Sequence, residues 1–165
     1  MHRLLQALPD LPNSARHAAA ARHLARRAAD FSSEECERMI EQVCRLLEDV
    51  RFAEFFAPGS HAELPIVARF EHNARMIGVS GQVDRIAVSA DAVLIADFKT
   101  NHPAPRTVED VPSAYVGQLA LYRAALRKLY PGKAVRAALI WTDIPDVMEI
   151  PTAMMEEALC SVTSA

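Results

Sequence analysis

The chain has 165 residues, the size of one globular domain, with 51% apolar and 24% charged residues. Its net charge of −3 speaks against a domain that grips nucleic acid by charge alone, because non-specific affinity comes mainly from phosphate neutralisation. There is no apolar run of about eighteen residues and no signal-peptide pattern, so the sequence predicts neither export nor a membrane partner. Cys36, Cys44 and Cys160 are odd in number and widely spaced, which fits no disulfide framework and no zinc or iron–sulfur ligand set. They predict buried structural thiols in a reducing cytoplasm.

Met1 to Leu8 reads as a helix that starts without an N-cap residue, with His2, Leu5 and Gln6 on one face. So abrupt a start predicts a piece cut from, or the tail of, a larger protein. Pro9-Asp10-Leu11-Pro12 ends this helix, and Asn13 or Ser14 is placed to cap the next. Residues 15–29 form a basic segment with Arg16, His17, Arg22, His23, Arg26 and Arg27. Such a face suits a DNA backbone, a surface of the parent protein, or simple solvation. Ser32-Ser33-Glu34-Glu35 is a capping box that opens a helix to about Val50, with Met39, Val43, Leu46, Leu47 and Val50 as its apolar stripe. Phe52, Phe55 and Phe56 continue the burial up to Pro58-Gly59.

Glu63 to Phe70 reads as the first strand, with Pro65 placing it at an edge or a strand start. Asn73-Ala74-Arg75 makes a turn into a strand from Met76 to Val88, which Gly78 and Gly81 open to close approach by a backbone or a phosphate. After Ser89-Ala90-Asp91 a third apolar run leads to Asp97-Phe98-Lys99-Thr100. Asn101 to Arg106 is a loop by composition, with His102 near the strand end. A helix follows from about Ala114 to Tyr130, with Tyr115, Leu119, Tyr122, Leu126 and Leu129 as its buried stripe. Gln118 and Tyr122 share a face of it, and Arg123, Arg127 and Lys128 give it a basic side. Ala134–Trp141 is a strand, Asp143 to Asp146 a turn, Val147–Ile150 a short return strand, and a last helix runs to about Val162.

This order predicts an α/β fold: a mixed central β-sheet flanked by helices in residues 58–165, after an N-terminal helical part in residues 1–57. The helix carrying Gln118 is long enough to cross the sheet, so the strand after it is expected to pair in parallel.

The chemistry lies on the central hairpin. If its loop is the two residues Ala90-Asp91, then Asp84 stands level with Asp97 on one face, and Lys99 projects to that face as well. A three-residue loop would turn Asp84 to the other face. Two carboxylates side by side repel unless a cation lies between them, and hard oxygen ligands suit Mg²⁺ or Mn²⁺. An amine beside them can orient an attacking water or offset phosphoryl charge. Strand-end acids with a salt-bridged lysine would show the same three residues.

Gly81-x-x-Asp84-Arg85-Ile86, Asp97-Phe98-Lys99-Thr100 and Gln118-Leu119-Ala120-Leu121-Tyr122 resemble the motifs of the PD-(D/E)xK nuclease superfamily. Within it they are most similar to the RecB-type branch and the C-terminal nuclease domain of AddA subunits of bacterial helicase–nucleases. His2-Arg3-Leu4-Leu5-Gln6-Ala7-Leu8-Pro9 resembles the helix that carries that branch's metal-binding histidine.

The resemblance implies a restriction-endonuclease-like core and Mg²⁺-dependent hydrolysis of single-stranded DNA during double-strand-break repair, with Mn²⁺ able to substitute. It implies catalytic roles for Asp84, Asp97 and Lys99. The implied metal ligands are His2, Asp84, Asp97 and the backbone carbonyl of Phe98. Gln118 and Tyr122 would lie beside the substrate strand or support the lysine. Glu63, Arg85 and Thr100 complete the candidate set, Glu63 resembling an acid that opens the first strand in many relatives. No helicase motif is present, so the implied partners are a motor that delivers single-stranded DNA, the rest of the parent subunit, and a second, AddB-like nuclease subunit. The competing reading is a catalytically silent scaffold or DNA-holding module of a repair complex.

Overall fold

A computed structural model of the chain describes residues 1–26, 31–100, 103–142 and 144–164. Arg27 of the basic segment, Asn101 and His102 of the loop, and Asp143 of the turn lie outside the described residues. The chain forms two compact units, residues 1–58 and 59–165.

The first unit is helical. Helix α1 (His2–Ala7) follows Met1 and has no side-chain cap, as the sequence suggests. Helix α2 (Asn13–Ala25) is preceded by Pro12 at its N-cap, so Asn13 is its first residue and not its cap. Asn13 instead accepts a hydrogen bond from Arg16, whose guanidinium also donates to the carbonyls of Leu11 and Pro9. His17 lies 3.0 Å from Glu37. Two members of the basic segment are therefore engaged within the unit. Helix α3 (Ser33–Glu48) opens on the expected capping box, with Ser32 and Glu35 exchanging backbone-to-side-chain bonds. Those bonds hold the Glu35 carboxyl below its ordinary pKa.

The buried stripe of α3 is Ile40, Val43 and Leu46. Met39 is only half-buried, and Val50 is 83% exposed because the helix ends at Glu48 and a short 3₁₀ turn at Val50–Phe52 rotates it outward. The expectation of buried cysteines fails. Cys36 and Cys44 are half-buried and Cys160 is exposed, since each lies beside its helix's buried stripe and not within it.

The second unit is built on one five-stranded sheet in the order β1-β2-β3-β4-β5, with β1 (His61–His72), β2 (Arg75–Val88), β3 (Ala92–Lys99), β4 (Ala134–Trp141) and β5 (Asp146–Glu149). All pairs are antiparallel except β3–β4, which is parallel. Helix α4 (Ser113–Leu129) supplies the crossover, as its length predicts. The β1–β2 hairpin turns on Asn73 and Ala74, both with positive φ, which matches the right-handed twist of the strands.

One core cluster joins Ile66, Phe70, Val79, Val83, Ile86, Ile95, Leu139 and Trp141 of the sheet to Val116, Leu119 and Leu126 of α4 and Met155 of α5 (Thr152–Ser164). In α4 the buried face is centred on Val116, Leu119, Ala120, Ala125 and Leu126, while Leu129 is 64% exposed and Tyr115 half-buried. The apolar stripe expected from spacing runs one position too far round, because the strongly buried face also uses small residues. Among the described residues, no helix is long and apolar enough to cross a membrane.

Candidate active site

The β2–β3 ladder fixes the hairpin register. Val88 pairs with Val93 and Arg85 with Ala96, and Ser89 closes on Ala92 around a two-residue loop. Continued by one residue, this register sets Asp84 level with Asp97. The ladder stops there, and β2 and β3 splay into a fork. The N–H of Phe98, next in β3, donates instead to the Asp84 carboxylate, 2.7 Å from Oδ2. On the other arm the N–H of Gln82 donates to the hydroxyl of Tyr122 at 3.2 Å. Side chains thus take over two backbone donors that would otherwise be orphaned in a half-buried position.

The fork requires Gly81. A Cβ at this position would collide with the Tyr122 hydroxyl and come within 2.8 Å of its ring.

A second irregularity lies across the strand. Glu63 of β1 is level with Asp84, and this pair alone drops out of an otherwise continuous ladder between His61↔Ile86 and His72↔Arg75. Glu63 adopts φ = 56°, a left-handed conformation uncommon for a residue with a side chain. In β2, Val83 and Ile86 lie three residues apart, yet both enter the one core cluster. The two-residue alternation therefore slips at Asp84, as it does at a bulge. The result is that Glu63 and Asp84 present carboxylate oxygens within 4.8 Å of one another. Glu63, which reads from sequence as a plain surface acid or a strand-opening one, thus stands beside the central aspartate.

Asp97 is 4% exposed and forms an ion pair with Lys99, Nζ to Oδ2 at 2.6 Å. The Lys99 ammonium also donates to Gln118 Oε1 at 3.3 Å and lies 4.0 Å from the centre of the Tyr115 ring. Gln118 Nε2 donates in turn to the Tyr122 hydroxyl at 3.2 Å. A continuous polar chain therefore runs from Asp97 through Lys99, Gln118 and Tyr122 to the backbone of Gln82. The carbonyl of Lys99 accepts from the backbone and hydroxyl of Thr142, which extends the β3–β4 ladder and fixes the strand end.

Of the residues the sequence singles out, Glu63, Asp84, Asp97, Phe98, Lys99, Gln118 and Tyr122 come together around the fork. Arg85 does not. It is 1% exposed and donates to Ser60 Oγ at 2.6 Å. Thr100 is exposed just past the end of β3. His2 belongs to the first unit, where its imidazole is within 3.5 Å of Gln6. Gln82, Tyr115, Thr142 and Trp141 take part without any local sequence signal. Tyr115 and Trp141, 6.4 Å apart between ring centres, read from sequence only as core.

The donors that stand together at the fork are the carboxylate oxygens of Glu63 and Asp84. That chemistry fits a small hard divalent cation, whose octahedral ligands stand up to about 4.2 Å apart.

Comparison with known proteins bears on the whole chain. The PD-(D/E)XK nuclease superfamily matches residues 1–158. An ATP-dependent helicase/nuclease subunit from Lactiplantibacillus plantarum is 33% identical over 81 residues, 49% of this chain and 6% of that protein. Its counterpart from Lactobacillus acidophilus is 30% identical over 82 residues, 47% of this chain and 7% of that protein. The chain thus spans well under a tenth of the length of these curated relatives. The crystal structure of SSO0001 overlaps 99% of this chain and 74% of its own, at 14% identity and a TM-score of 0.41. A match that runs over residues 1–158 places this chain in the PD-(D/E)XK nuclease superfamily.

Proposed function

We propose that the chain is a metal-dependent deoxyribonuclease domain that hydrolyses phosphodiesters of single-stranded DNA. It would be an exonuclease of the RecB/AddA type, within a cytoplasmic helicase–nuclease for double-strand-break repair. The observation that carries this is the fork itself: the Asp84 carboxylate on the Phe98 N–H, with the Asp97–Lys99 pair immediately beyond it.

Asp84 and Asp97, with the Phe98 carbonyl and the His2 imidazole, would hold Mg²⁺, for which Mn²⁺ can substitute. His2 enters on the motif resemblance, and Glu63 is the further acid that stands beside Asp84. When bound, such an ion polarises the phosphodiester and lowers the pKa of a water. Lys99 holds its ammonium between Asp97 and Gln118, where it can donate to a non-bridging phosphate oxygen or orient the attacking water. Gln118, itself bonded to Tyr122, accepts from that ammonium, and the two residues would line the path of the strand.

The relatives' names and the absence of a helicase motif support one nuclease domain over residues 1–165, a helical part and an α/β core. A motor in the parent subunit would deliver the strand, and an AddB-like subunit would act on the other. The net charge of −3 agrees with delivery by a motor in place of a strong grip. Both acids and the lysine stand at their motif positions, which weighs against a silent scaffold.

The test is cleavage of an end-labelled single-stranded oligonucleotide in Mg²⁺ and in EDTA, beside Lys99→Ala. Cutting that EDTA stops, and that falls at least about a hundredfold in the variant, is expected. Cutting that survives EDTA, or that Lys99→Ala leaves intact, would overturn the assignment.

A further inference from the structure

We propose that Gln82 is a positioning residue for the acids of this site: its side-chain amide holds Glu63 in the left-handed conformation that sets the Glu63 carboxylate beside Asp84. The inference rests on the metal reading above and goes beyond it, since no motif includes Gln82.

The geometry is specific. Gln82 Nε2 donates to the Glu63 carbonyl at 3.3 Å and to Glu63 Oε2. Both contacts fall on the one residue of β1 whose φ is 56°. They also fall at the one step that the β1–β2 register skips, between Ala62↔Arg85 and Leu64↔Val83. The position opposite Gln82 is Pro65, which has no N–H to give. The amide therefore supplies a cross-strand tie from the side chain of β2 to the backbone and carboxylate of Glu63. The backbone N–H of Gln82 donates to Tyr122 at the same time. One residue thus couples the Glu63–Asp84 pair to the chain that ends on Lys99.

The chemistry of the side chain matters as much as its place. A neutral donor orients the carboxylate and leaves its charge for a cation. A lysine here would neutralise the acid and compete with the ion, and a glutamate would repel it.

The experiment is titration of the purified chain with Mn²⁺, followed by the loss of the free-ion EPR signal, in the wild type, Gln82→Met, Glu63→Gln and the double variant. Loss of a group that orients a metal ligand weakens affinity by about 10- to 100-fold. Gln82→Met is expected to show a loss of about tenfold at an unchanged melting temperature. In the Glu63→Gln background it should cause no further loss, whereas a general effect on folding would add in both backgrounds. Equal affinities of wild type and Gln82→Met, or full additivity in the double variant, would overturn the role of Gln82 and leave the metal site standing. A wild-type chain that takes up no Mn²⁺ would overturn both.

Discussion

Gly81 shows how much of the site depends on the lack of one methyl group. Its position admits the Tyr122 ring into the β2–β3 fork, where the hydroxyl serves both Gln82 and Gln118. Gly81→Ala should displace Tyr122 and cost about 1–3 kcal/mol as overpacking, with loss of cleavage. Gly78 is the control, since a Cβ there meets nothing within 4 Å. Gly78→Ala should change stability by about 0.5 kcal/mol or less. Thermal melts of the two variants compare them directly, and equal melting temperatures would contradict the packing of Tyr122 on Gly81.

Sequence reasoning marks both glycines as places of close approach but does not distinguish them. The distinction is made by a helix some forty residues away in the chain. Glu63 is a similar case. Its acid type is visible in sequence, while its left-handed backbone depends on a cross-strand partner that only the folded sheet supplies.

At the level of elements, the register of the central hairpin is readable because a two-residue break separates two apolar runs whose periodicity sets their faces. The parallel β3–β4 pair is readable from the length of α4. The point where β2 and β3 part is not, for nothing in Asp84 itself says that its carboxylate will replace a backbone acceptor for Phe98. Helix faces are blurred for a simpler reason. Small residues such as Ala120 and Ala125 carry buried faces as well as leucines do, so a stripe drawn through large residues drifts toward Leu129.

The outer end of the sheet offers a check of its electrostatics. The Arg136 guanidinium pairs with Glu149 across β4 and β5 at 2.6 Å, and that hydrogen bond holds the Glu149 carboxyl below its ordinary value of 4.5. A depressed folded pKa means stability that is complete above the unfolded value and lost as pH falls through the folded one. Both groups are substantially exposed, so the contribution is at most about 1 kcal/mol. The difference in melting temperature between wild type and Glu149→Gln should be largest near pH 7 and close by about pH 3. A difference that persists undiminished at about pH 3 would rule out the pairing as its source.

For the whole molecule, charge, chain order and chemistry converge. A net charge of −3 is compatible with the proposed delivery of DNA to this domain, which then needs no strong electrostatic grip of its own. The two compact units divide at Pro58/Gly59, where composition already punctuates the chain. The mixed sheet and its parallel pair are within reach of the sequence, because strand periodicity and helix length are local signals. The fork, the tie from Gln82 and the aromatic support of Lys99 were not, because each joins residues brought together only by tertiary structure.

If hydrolysis runs through the Asp97 carboxylate, Asp97→Asn isolates that role, since the amide keeps the size of the side chain. The decisive experiment is the single-turnover rate of cleavage of a labelled single-stranded oligonucleotide in Mg²⁺, with a melt of the same preparation. A rate at least about a hundredfold lower in the variant, with the fold retained, is expected. A folded Asp97→Asn chain that cuts at the wild-type rate in Mg²⁺ would remove Asp97 from the mechanism and the metal site with it.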